Sequence, residues 1–272
     1  MLIKTVRFSI IISSIMPRIA AGIFICLLAA IPSEAGLKVY YIRHAEFGHN
    51  LRKQYENVPK EHWPSYVGDS NAVTPKGKEQ IEAATGKLKG YKFDFIACSP
   101  IYRCRQTILP YLCDTRQTAE IWPELAEFNG EVVPSFFNGT LPAPAKNLLR
   151  GDRVGLPDDE KQFFFLRPGG EHLLKAAPKE DLPQRASDIK AALQNVVTLL
   201  RQRFGGTEKS ILLSGHGTNG RALLQMILPK NRWPEKISIV NTGIWMVEEL
   251  PDGTFALRML NDRPAIEVKA AK

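Results

Sequence analysis

The stretch Ile211–Leu224, ILLSGHGTNGRALL, decides how this chain is read. An apolar run, ILLS, meets a glycine-rich turn, GHGTNG, and then a helix-like RALLQMI. Gly215, Gly217 and Gly220 fit the dinucleotide fingerprint G-x-G-x-x-G, so the turn reads either as a cofactor cradle or as a holder for His216. A cradle expects the turn after the first strand, with an acid about 20 residues further on closing the next strand. Here the turn follows the last strand of an alternating series, and the first acid beyond it, Glu235, precedes the next strand. The chain order therefore favours His216.

Upstream, strand-like and helical segments alternate. LKVYYIRH (37–44), FDFIACS (93–99), AEIWPEL (119–125) and SILLSGH (210–216) read as strands. TPKGKEQIEAATGKLKG has Thr74 as N-cap and Pro75 at the first helical position. IYRCRQTILPYLC reads as a helix that Pro110 kinks, and 183–204 is amphipathic, with Ile189, Leu193, Val196, Val197 and Leu200 on one face. ISIVNTGIWMVEEL and TFALRMLN read as a closing strand pair around Pro251-Asp252-Gly253. Such alternation predicts an α/β sandwich with a mainly parallel sheet. Residues 129–180, rich in Pro, Gly and charge, break the rhythm and read as an insertion over one end of that sheet.

The 272 residues suit one large domain, expected over 36–272, and the composition is ordinary for a globular chain. Residues 1–35 read as a secretory signal peptide: Lys4, Arg7 and Arg18 lead into apolar Ile19–Ile31, then Pro32 and the small-x-small ending Ser33-Glu34-Ala35. A retained anchor, a mitochondrial presequence and a true start at Met16 are the alternatives, so export is the expected localisation and membrane anchoring its rival. The net charge of +8 favours anionic partners, but the basic residues are scattered, which disfavours nucleic acid. Outside the leader stand Cys98, Cys104 and Cys113, which allow at most one bridge and show no metal-ligand spacing. Asn138-Gly139-Thr140 is a glycosylation sequon.

In a parallel sheet, ligands bind at the carboxyl ends of the strands. Arg43-His44-Ala45-Glu46, Ser99-Pro100 with Arg103, the approach to Glu127, and His216 all fall there. Two histidines, two arginines and a carboxylate suit phosphoryl transfer. A neutral imidazole attacks phosphorus, guanidinium groups bind the equatorial oxygens, and a carboxyl protonates the leaving oxygen.

In this order the segments resemble the histidine phosphatase superfamily, phosphoglycerate-mutase-like branch 1, over about Val39–Met226. YYIRHAE resembles its strand–R-H-G/A signature, which implies His44 as the phosphorylated nucleophile and Arg43 as a phosphate ligand. Asn50 sits at the motif's pocket asparagine, and VTPKGKEQ is similar to L-T-x-x-G-x-x-Q. CSPIYRCRQT is similar to S-P-x-x-R-x-x-Q-T and implies Arg103 as the second phosphate arginine. ELAE implies Glu127 as proton donor, with Glu124 and Glu131 as rival acids, GGEH (169–172) resembles the G-E-S step before the long helix, and SGHG carries His216. The implied fold is a three-layer sandwich with helices on both faces of a mainly parallel sheet.

The implied activity is a phosphatase, needing no cofactor or metal, that acts on a small phosphorylated substrate or a phosphoprotein. Phe47 stands where the mutase-like motif usually has Ser, which counts against the alternative, a phosphoglycerate mutase. Gly217 after His216 counts against the acid-phosphatase and phytase branch. A dinucleotide enzyme using Gly215–Gly220 and a non-catalytic phosphate-binding relative are the remaining readings. Gly217 is expected to let phosphate approach closely, with the following helix N-terminus adding donors. Arg150, Lys161, Arg167 and the FFF run at 163–165 are expected either to shape specificity or to form a local core.

Overall fold

A computed structural model describes residues 36–127, 149–178, 180–229 and 237–265, all within one compact unit, Ser33–Lys272. The leader, Glu131 and the sequon at Asn138 lie outside the described residues.

An eight-stranded sheet runs in the order β10-β9-β8-β1-β7-β2-β3-β5. Its parallel part comprises β1 (Lys38–Arg43), β7 (Ser210–Gly215), β2 (Phe95–Cys98), β3 (Ala119–Ile121) and β5 (Phe164–Leu166). On the β1 side the sheet continues antiparallel through β8 (Ile244–Glu249), β9 (Phe255–Leu260) and β10 (Arg263–Pro264). A separate ribbon pairs β4 (Leu149–Arg153) with β6 (His172–Lys175).

The period-two alternation of each strand feeds two cores. Val39, Tyr41, Ile211, Leu213, Trp245 and Val247 face one side, packed with α3 (Leu182–Phe204) and α4 (Gly217–Ile227). Tyr40, Ile42, Ile96, Cys98, Leu212 and Ile244 face the other, with α1 (Pro75–Lys89) and α2 (Tyr102–Thr115). The result is the expected three-layer α/β sandwich.

α2 runs through Pro110 to Thr115, a single helix with the proline inside it, as read from the sequence. Two local readings differ. Part of the region read as an insertion joins the sheet: Phe164 is 1% exposed and β5 pairs with β3, so the FFF run builds core and an edge strand. The strand read from Ile237 begins only at Ile244, because Thr242 adopts φ +54 and turns the chain. Residues 237–243 instead form a loop beside the strand ends.

Candidate active site

The register puts four strand ends at one level. Arg43 pairs with Gly215, Ser214 with Cys98, and Cys98 with Ile121. His44 N–H donates to Gly215 O (2.9 Å), Ser99 N–H to Ser214 O (2.9 Å) and Trp122 N–H to Cys98 O (2.9 Å), so one rung carries His44, His216 and Ser99 together.

His44 and His216 are buried, with ring centroids 5.4 Å apart. His44 Nδ1 lies 2.7 Å from the Ala45 carbonyl oxygen. A carbonyl only accepts, so Nδ1 carries the proton and Nε2 keeps its lone pair. Burial, then the charges of Arg103 and Arg43, hold the His44 pKa well below its ordinary 6.5. The ring is therefore neutral near pH 7, the form a nucleophile needs. His216 is fixed oppositely: Arg103 Nη2 donates to its Nδ1 (3.0 Å), and its Nε2 donates to Ser99 Oγ (3.0 Å). Burial and then Arg103 also push His216 well below 6.5.

Arg103 Nη2 bonds Glu127 Oε2 at 2.6 Å, and Glu127 stands 3.5 Å from His216 Nδ1. Arg43 Nη1 donates to Ile239 O (2.7 Å), while the Nε atoms of Arg43 and Arg103 are buried without partners. Such unpaired donors cost about 1–3 kcal/mol each, and an anion between the two guanidinium groups would satisfy them. Among the described residues no group of three or more His, Cys, Asp or Glu is arranged to hold a metal, and Arg43 and Arg103 are the cations beside His44.

The motif residues hold this centre. Thr74 Oγ1 caps α1 by accepting from Gly77 N–H (2.9 Å) and donates to Glu46 Oε1 (2.9 Å). Gln80 Oε1 accepts from Glu46 N–H (2.7 Å), and a Cβ on Gly77 would lie 2.0 Å from the Glu46 carbonyl oxygen. The T-x-x-G-x-x-Q spacing therefore clamps the segment after His44. Thr107 Oγ1 accepts from Ala45 N–H (2.9 Å) and donates to Arg103 O (2.7 Å), joining the two phosphate-motif segments.

The glycines of the opening stretch serve packing. A Cβ on Gly215 or Gly220 would lie 2.2 or 2.4 Å from Tyr41 atoms, and one on Gly217 would lie 3.0 Å from Arg43 Nε. Tyr41 Oη in turn donates to His216 O (2.8 Å). Gly217 thus makes room for Arg43, where close approach by phosphate was expected.

All six sequence-predicted residues are described. His44, His216, Arg43, Arg103 and Glu127 come together, whereas Asn50 is turned to its own loop, its Oδ1 accepting from Phe47 N–H (3.0 Å). Of the rival acids, Glu124 pairs with Arg167 and is 7% exposed. The segment 169–172 is a turn leading into β6, well before α3, and His172 Nδ1 contacts Gly151 O at 3.2 Å. Cys98, Cys104 and Cys113 are free thiols.

Sequence reasoning missed three contributors. Asn241 Nδ2 donates to His44 O (2.9 Å) from the loop read as strand. Cys104 Sγ lies 3.3 Å from His216 Nε2, and burial pushes its thiol up to about 12, too high to ionise near neutrality. His49, whose only signal was being a third histidine next to the motif asparagine, has its ring 5.4 Å from that of His44.

Residues 39–133 match the family model of the histidine phosphatase superfamily (branch 1). The chain is 23% identical, over 219 residues, to a broad-specificity phosphatase of Saccharomyces cerevisiae, covering 79% of this chain and 81% of that one. A solved phosphoserine phosphatase of Entamoeba histolytica, in complex with 3-phosphoglyceric acid, aligns at TM-score 0.49 and 20% identity over 84% of this chain and 98% of its own. The α-ribazole phosphatase of Shigella flexneri aligns at 0.48 and 17% over 82% and 96%.

Proposed function

We propose that the protein is a phosphomonoesterase that works through a phosphohistidine on His44. The observation that carries this is the His44 tautomer: Nδ1 donates to Ala45 O, which leaves Nε2 free beside Arg103 and His216. The lone pair of Nε2 attacks phosphorus, the bond to the ester oxygen breaks, and that oxygen takes a proton from the Glu127 carboxyl. Arg43 and Arg103 hold the phosphoryl oxygens, and His216, its Nε2–H on Ser99 Oγ, positions Arg103 through Nδ1. A substrate phosphate arriving as its monoanion displaces Glu127 from Arg103 and passes its proton to the freed carboxylate, and this is the proton the leaving oxygen takes. Water then attacks the phosphohistidine, gives its proton to Glu127, and inorganic phosphate departs with His44 restored.

The match of residues 39–133 to the histidine phosphatase family model and the similarity to the broad-specificity yeast phosphatase support the hydrolase over a mutase. So does Phe47, which is fully buried and leaves no hydroxyl at its position. A small phosphorylated metabolite is the substrate class in this reading, with export directed by residues 1–35. Acid quench during turnover should trap an acid-labile phosphate on the full-length chain, and His44→Ala should lose both the trapped phosphate and hydrolysis. A His44→Ala protein hydrolysing p-nitrophenyl phosphate at the wild-type rate would overturn the reading. N-terminal sequencing of the exported protein tests the leader.

A further inference from the structure

His49 takes no part in the mechanism above, yet its hydrogen bonding is incomplete in a specific way. Its Nε2 lies 3.1 Å from Asn50 Nδ2. Asn50 Oδ1 accepts the Phe47 N–H, which fixes the amide orientation and turns the NH2 towards His49. An amide NH2 only donates, so His49 Nε2 accepts and the neutral ring carries its proton on Nδ1. That nitrogen is buried and has no hydrogen-bond partner. Burial, then Arg103, Arg43 and Arg52, lower the His49 pKa to about 4, so the ring stays neutral and its donor fixed at ordinary pH. The same two arginines flank His44, whose ring centroid is 5.4 Å from that of His49. A fixed, desolvated N–H without a partner is costly to keep beside a cationic pocket unless an anion completes it.

We propose that His49 is a further phosphate ligand, its Nδ1–H donating to a non-bridging oxygen of the phosphoryl group held at His44. The proposal rests on a phosphate occupying that pocket, as in the phosphatase reading, and adds a contact outside the His44, Arg43, Arg103, His216 set. Because the bond forms with the phosphoryl group both before and during transfer, its loss raises KM and leaves kcat nearly unchanged.

The test is calorimetric binding of inorganic phosphate to the full-length protein, which needs no turnover, alongside the kinetics of p-nitrophenyl phosphate. His49→Leu should weaken phosphate binding and raise KM about tenfold, the effect of one hydrogen bond to a charged group. His49→Asn carries an amide nitrogen as many bonds from the backbone as Nδ1 and should retain most of the affinity, whereas His49→Gln reaches to the Nε2 position and should not. Wild-type phosphate affinity in a folded His49→Leu protein overturns the proposal. If the leucine variant does not fold, equal affinity of the Asn and Gln variants overturns it instead. A wild-type protein that binds phosphate with this His49 dependence but hydrolyses nothing would leave the proposal standing and remove only the hydrolase reading.

Discussion

Arg103 and Glu127 form an ion pair at 2.6 Å, and the same Arg103 nitrogen also donates to His216 at 3.0 Å. The arginine that would grip a phosphate is thus held in waiting by the carboxylate that would protonate the leaving oxygen. Glu127→Gln keeps the shape and removes the proton. Hydrolysis of alkyl phosphates should fall about 10²-fold or more, and that of p-nitrophenyl phosphate, whose leaving group needs little protonation, much less. Equal losses on both substrates would assign the acid elsewhere.

Burial and the neighbouring arginines depress His44, His216 and His49, the last to about 4 from 6.5. The unfolded chain, with ordinary histidines, binds more protons than the folded one below about pH 6.5, so stability is lost as pH falls through that window. Urea midpoints should decline from about pH 6.5 towards pH 4, and the ring Cε1 protons of His44 and His216 should show no NMR titration near pH 6. Removing the cation in Arg43→Gln should raise the His44 pKa towards its ordinary value.

Two glycine-to-alanine changes should act in opposite directions. Gly220→Ala drives a methyl to 2.4 Å from the Tyr41 ring, which stacks on Trp245 at 5.1 Å, and should cost about 1–3 kcal/mol. Gly86, exposed within α1, has nothing within 4 Å of the added carbon, and Gly86→Ala should stabilise by about 0.5–1 kcal/mol. Thermal denaturation of both variants checks the pair.

Glu160 is buried against Arg105, with side chains only 3% and 6% exposed, and also accepts from Gln106 Nε2 at 2.9 Å. It anchors the segment before β5 to the helix that presents Arg103. Glu160→Ala strands a buried guanidinium and should cost about 3–5 kcal/mol, lowering Tm by about 10 °C in calorimetry. An unchanged Tm would show that the pair contributes nothing net.

Much of this was legible in the chain, and the misses have a common cause. β-branched runs ending at polar clusters marked β1, β2 and β7, and Thr74-Pro75 marked the start of α1, because those signals are local. The ordered pieces around His44, Arg103, Glu127 and His216 come together as the sequence suggested because strand ends in a parallel sheet gather on one edge. Residues 237–243 misled, since an apolar, β-branched run reads as strand until Thr242 turns it. Asn241 was hidden with them, its bond to His44 O spanning 197 residues.

The alternation of elements and the residue types available for phosphoryl chemistry are written in the chain, since both follow from short-range spacing. Folding alone places β7 between β1 and β2, pairs Glu124 with Arg167 while Glu127 faces Arg103, and fixes which nitrogen of His44 and of His216 carries the proton. It also decided the use of the glycine turn, where Tyr41 and Arg43 fill the space that a dinucleotide fingerprint would leave open. A proton's location is set by whichever group folding brings within hydrogen-bond reach, and most of those partners lie many tens of residues away along the chain.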